Sequence, residues 1–163
     1  MTAIEKYFNA EKSESLFFLT AGCLALLAAA WFFIKVKQPF YNGIAYPLLL
    51  IALVQITVGS TVYWRSPKDI IRVTELVQNN KAGIYTEEIP RMQTVMKNFI
   101  IYRWIEIALI AIGVAVVIIS SPQTLLRGVG VGLALQAAIM LLLDYFAESR
   151  GKDYLDYLRT LVS

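Results

Sequence analysis

Residues 99–120 read FIIYRWIEIALIAIGVAVVIIS. The run is apolar enough to cross a bilayer, yet it carries Arg103 and Glu106. A charged group near the middle of a spanning helix costs about 2.5–3.5 kcal/mol on insertion scales. Such groups persist where they are paired, line a water path or meet a partner. This stretch therefore points to a membrane helix and to ionic residues that need an account.

Three further runs have the same character: 16–36 (LFFLTAGCLALLAAAWFFIKV), 43–64 (GIAYPLLLIALVQITVGSTVYW) and 124–147 (TLLRGVGVGLALQAAIMLLLDYFA). Each is about 20 residues, the length that spans a ~30 Å hydrocarbon core. Of 163 residues, 58% are hydrophobic, and the mean hydropathy of +0.59 is too high for a soluble domain of this size. No alternating pattern suggests strands, so α-helices rather than a closed barrel are expected. The expected fold is an all-α integral membrane protein, a four-transmembrane-helix bundle in a single membrane domain over 1–163. Its spans are TM1 16–36, TM2 43–64, TM3 99–120 and TM4 124–147. A cytoplasmic connection covers 65–98 and a cytoplasmic tail 148–163.

Charge sets the orientation. Lys6, Lys12, Arg65, Lys68, Arg72, Lys81, Arg91, Lys97, Arg150, Lys152 and Arg159 fall on one side. Lys35, Lys37 and Arg127 fall on the other. The positive-inside rule places both termini in the cytoplasm, and an even number of spans agrees in putting them on one side. The expected location is a bacterial inner membrane. The basic balance is read as this asymmetry, and no nucleic-acid partner is expected. Cys23 is the one cysteine and there is no histidine. Intrachain disulfides, histidine-ligated haem and Cys–His catalytic pairs are thereby excluded, and no cofactor or metal is expected. Thr20-Ala21-Gly22-Cys23 faintly resembles a lipoprotein cleavage site, but the preceding segment is acid-rich and apolar sequence continues past it, so an uncleaved span is expected.

The segments between spans are amphipathic. Thr2 and Glu5 have capping-box spacing, and Ile4, Tyr7 and Phe8 form one face of a short interfacial helix. Pro39 ends one helix in an outside turn over residues 37–42. Pro67 starts a new amphipathic helix, and Asn79–Gly83 ends it. Thr86, Glu87 and Glu88 start the next, a long helix from about Glu87 to Ser120. Pro39 and Pro122, Gln55 and Gln136, and Lys68 and Lys152 recur 81–84 residues apart. A tandem duplication of a helical hairpin would produce that spacing.

Arg103 and Glu106 share a helical face. They lie about 6 and 10 Å below the cytoplasmic boundary at 1.5 Å per residue, and Asp144 comes back to the depth of Arg103. The expected polar network is Arg103 between Glu106 and Asp144, with Thr61 and Tyr63 on the second span as further partners. It reads either as a structural clamp or as a proton or cation site centred on Glu106. Gln55 and Gln136 lie near mid-membrane and are expected to bond across helices. Gly128 and Gly132, and Ala111 and Ala115, have the small-xxx-small spacing of close helix packing, within the bundle or between copies.

No nucleophile, metal set, paired cysteines or paired intramembrane aspartates accompany these residues. The expected function is non-enzymatic: protein–protein interaction in the membrane, as an accessory subunit of a membrane complex or an immunity protein against a membrane-directed toxin. Its partners are the lipid bilayer and a membrane or cytoplasmic protein, or a second copy. The alternative is a small oligomeric transporter or channel using Glu106.

Overall fold

The computed structural model describes residues 2–162. The chain is 94% helix. Four continuous helices are each long and apolar enough to cross a membrane: α1 (Ala3–Val36), α2 (Pro39–Asn79), α3 (Lys81–Ile119) and α4 (Leu125–Val162). They contain 34, 41, 39 and 38 residues, which is about 50–60 Å of helix at 1.5 Å per residue. That is nearly twice what a hydrocarbon core needs. The amphipathic segments are therefore not separate helices. They extend the apolar ones without a break.

Local chemistry explains the boundaries. The Thr2 hydroxyl accepts from the Glu5 amide at 3.2 Å, and the Thr2 amide donates to Glu5 at 2.7 Å. This capping box satisfies two amides at the start of α1. The last turn of α1, Phe32–Val36, widens into a π-helix and closes on Lys37, whose backbone is left-handed at φ 53°. Pro39 does not end α1. It occupies the first turn of α2, where its missing N–H costs nothing. Pro67 lies inside α2 rather than opening a new helix. Only Asn80 interrupts the passage from α2 to α3, and its side chain accepts from the Gly83 amide. A π-helical turn over Ile84–Glu88 lies where a new helix start is expected from the sequence.

The helices pack as an open row. α1 lies along α2, α2 along α4, and α4 along α3. α2 meets α3 only near residues 81–88. The apolar windows of α1 and α3 are each 11% buried, against 44% in α2 and 28% in α4. The outer pair thus presents most of its apolar surface to the surroundings.

Glycine sets the central contacts. A Cβ on Gly128 would overlap the Phe40 carbonyl, and one on Gly43 would overlap the Leu125 carbonyl. Gly132 meets Ile44 in the same way. Gly130 points to the other side and meets Gly113, Val116 and Val117 on α3. Alternate glycines thus let α4 approach a helix on each flank.

The larger core lies where the first turns of α1 meet the last turns of α4. It joins Ile4 and Phe8 of α1, Val73 of α2, Ile84, Ile89 and Met92 of α3, and Tyr154, Leu155 and Leu158 of α4. Ile4 and Phe8 are buried here and do not form a separate interfacial helix. Burying each large apolar side chain contributes about 1.5–3 kcal/mol. A second, smaller core of Ala25, Ala29, Ala45, Leu48 and Ala52 joins α1 to α2.

Candidate functional site

Two polar constellations stand out. The first closes the terminal core and escapes the sequence reading. Glu88 is fully buried. Its carboxylate accepts from Arg91 at 2.6 and 2.9 Å, from Arg72 at 2.7 Å and from the Tyr154 hydroxyl at 3.1 Å. Arg72 also meets Asp69 at 3.3 Å, and Arg65 bridges Asp69 at 3.1 Å and Glu11 at 2.9 Å. Acid and base alternate across α1, α2 and α3, and Tyr154 ties the ladder to α4. The Tyr154 ring stacks on Tyr7 at 4.1 Å between centroids.

The electrostatics differ along this ladder. Burial alone would push Glu88 up, but the hydrogen bonds and charges of Arg91 and Arg72 outweigh it and hold the carboxyl below its usual range. Burial pushes Glu11 up, and Arg65 offsets only part of that. Burial and the neighbouring Glu88 both raise the Tyr154 phenol, which stays a donor. A buried carboxylate with four donors is satisfied and has no capacity left for chemistry.

The second constellation lies between α3 and α4, within the apolar runs. The structure brings Glu106 on α3 and Asp144 on α4 together as neighbouring carboxyls. It does not place Arg103 between them. The Arg103 guanidinium donates to Glu148, one turn beyond Asp144, and Lys152 meets the same carboxylate at 3.1 Å. A long arginine side chain extends toward the end of its span, which carries Arg103 past the depth of its own Cα. Glu106 is 3% exposed, and neither of its oxygens accepts a hydrogen bond from a described donor.

Thr61 and Tyr63 do not join this group. Thr61 donates to the Thr57 carbonyl at 2.8 Å, and Tyr63 lies against Trp64 and beneath Lys12. The reason is the row: α4 stands between α2 and this part of α3. Gln136 donates to Gln55 at 3.2 Å, joining α4 to α2, while the Gln55 amide nitrogen finds no acceptor. Gly128 and Gly132 lie at the α2–α4 contact. Ala111 and Ala115 do not face α4. They are exposed on the outer side of α3, and Gly113 makes the close contact instead.

A groove of about 450 Å³ opens beside the acid pair. Its walls include Phe99, Ile107, Ala138 and Leu142, and Asp144 lies on its polar side with Arg103 and Glu148. No group of three or more His, Cys, Asp and Glu side chains suited to a metal ion occurs among the described residues.

No family model matches the chain, and neither a curated protein nor a solved structure matches it.

Proposed function

We propose that this protein works without chemistry of its own, as a membrane-embedded interaction subunit whose docking face is the outer side of α3. One observation carries the reading. Ala108, Ala111 and Ala115 are exposed along one face of α3, between bulky Trp104 and Ile118. Small residues at this spacing let a second helix approach closely, and none of the described residues covers them. The partner is a membrane subunit, a membrane-directed toxin or a second copy. The distribution of Lys and Arg supports four spans with both termini in the cytoplasm, and a bacterial inner membrane. The recurrence of polar positions 81–84 residues apart, with equivalent helices central in the row, supports a duplicated hairpin.

The test is the mass of the protein extracted from its native membrane in mild detergent. The wild type should carry a partner or run as a dimer. Replacing both alanines, Ala111→Ile and Ala115→Ile, should release a folded monomer. A wild-type monomer with nothing attached would remove the interaction reading.

A second reading is favoured by the buried, unbonded Glu106 carboxyl facing Asp144. In it the pair is a proton or cation site of a small transporter or channel. Two carboxyls this close, in a low dielectric, do not both stay charged without a cation. A difference infrared spectrum of wild type against Glu106→Gln tests this directly. The reading requires a protonated-carboxyl band that the variant lacks.

A further inference from the structure

We propose that the α3–α4 groove binds an amphiphilic organic cation, with its ammonium at Asp144, beside the buried Glu106, and its apolar body along Ile107, Ala138 and Leu142. The inference rests on the second reading above and names the ligand class that this site would take.

Glu106, Asp144 and Glu148 are neighbouring carboxyls on α3 and α4. Arg103 and Lys152 are the two cations paired with them, and both are engaged by Glu148. If every group is ionised, the cluster is one positive charge short, and the deficit lies at the Glu106–Asp144 pair. Glu106 is 97% buried by its 3% exposure and has no donor. A buried carboxylate without a cation is unfavourable, so the pair holds either a shared proton or a bound cation.

Asp144 lines the groove, and the buried Glu106 is its neighbour on α3. The volume of about 450 Å³ lies within the range of small-molecule sites. Phe99 and Tyr145 also line the groove, and aromatic faces attract an ammonium. A metal ion fits less well, since only two carboxyls converge here and no third ligand of that type joins them. An ammonium with one apolar arm satisfies both halves of the groove. On entry it displaces the proton held between the two carboxyls, so one proton leaves for each cation bound. The titratable and charged groups at this site are Glu106 and Arg103 on α3 and Asp144, Tyr145, Glu148 and Lys152 on α4.

The test uses the full chain in nanodiscs of zwitterionic lipid. The probe is dansylcadaverine, a primary ammonium on an apolar fluorescent body, set against the analogue in which a methyl group replaces the ammonium. The charged probe should bind at least about tenfold more tightly, the ratio for one charge-assisted contact of about 1.4 kcal/mol. Its affinity should fall up to about tenfold per pH unit on the acidic side, as proton competition requires. Glu106→Gln should abolish the preference and the pH slope while keeping the neutral probe. Ala138→Trp should block both probes, with Leu142→Trp as a second blocker if the first does not fold. Equal affinity for the two probes overturns the proposal and leaves a groove for acyl chains. If the infrared band of protonated Glu106 is present beside equal affinities, the acid site stands and the organic cation falls. If the band is absent and the charged probe still binds preferentially without proton release, the cation site stands and the proton falls.

Discussion

Tyr154 on α4 donates its phenol proton to Glu88 on α3 across 3.1 Å, and the same carboxylate receives Arg72 from α2. One buried acid thus collects three helices at the point where α1 also enters, through Phe8 beneath Arg91. The apolar parts of the row are held mainly by pairwise contacts between neighbours. The terminal core is the place where all four helices meet.

Removing that carboxylate should be costly. Glu88→Gln keeps the shape but leaves Arg72 and Arg91 without their shared anion. Breaking a buried ionic network by one partner costs about 3–5 kcal/mol. Both arginines are partly exposed and can turn to water, so the low end is expected. Tyr154→Phe removes one hydrogen bond and should cost about 1 kcal/mol. Thermal melts of the two variants in one detergent check the ranking, and equal melting temperatures would deny Glu88 its central role.

The same ladder predicts a pH profile with two limbs. Glu88 is held below the ordinary 4.5 in the folded state. Its contribution is full above that value and is lost as pH falls through the lowered one. Glu11 is raised above the ordinary 4.5. Its contribution is full below 4.5 and is lost as pH rises through the raised value. The melting temperature of the wild type should therefore fall on strong acidification, and Glu88→Gln should show a smaller fall, the remainder coming from Glu148, which Arg103 and Lys152 also hold low. Glu11→Gln should leave the acid fall and flatten the change on the neutral side. Parallel melts of the three proteins from neutral to acid pH decide it.

Gly128→Ala should push α2 and α4 apart, because the added methyl overlaps the backbone carbonyl of Phe40. A rigid backbone atom cannot move aside as a side chain can. Overpacking of this kind costs about 1–3 kcal/mol, occasionally more. Ala111→Gly is the contrast: it touches only the outer face of α3 and should cost no more than the helix propensity of about 1 kcal/mol. Comparable melts for Gly128→Ala and wild type would contradict the α2–α4 contact.

Four apolar runs announce four helices because bilayer length and hydropathy act on each segment separately. The junctions are harder to read. Pro39 and Pro67 look alike as breakers, yet one opens a helix and the other is absorbed inside one, since neighbouring segments keep the α2 axis continuous. Glu88 is opaque for a different reason. In Thr86-Glu87-Glu88 it reads as a helix start, while its burial depends on Arg72, Arg91 and Tyr154 arriving from three helices. The available signal is Glu88 and Arg91 lying three apart, flanked by Ile84, Ile89 and Met92. Depth arithmetic brings Asp144 level with Arg103 but ignores the reach of the arginine side chain. That reach selects Glu148, one turn further. The same arithmetic has no means of telling which face of α3 meets α4, so it cannot separate Gly113 from Ala111 and Ala115.

The Gln55–Gln136 contact makes an asymmetric prediction. Gln136 donates to the Gln55 carbonyl, whereas the Gln55 amide nitrogen already lacks an acceptor. Gln136→Leu strands both polar atoms of a residue that is 1% exposed. Gln55→Leu strands one donor and removes an existing orphan. Gln136→Leu should therefore destabilise by about 1–2 kcal/mol and Gln55→Leu by less, in line with hydrogen bonds between membrane helices. Replacing both should recover most of the loss, since two apolar side chains leave nothing unbonded. A double-mutant cycle on unfolding in mixed micelles measures the coupling. Strict additivity of the two single changes would mean that the amides do not support each other.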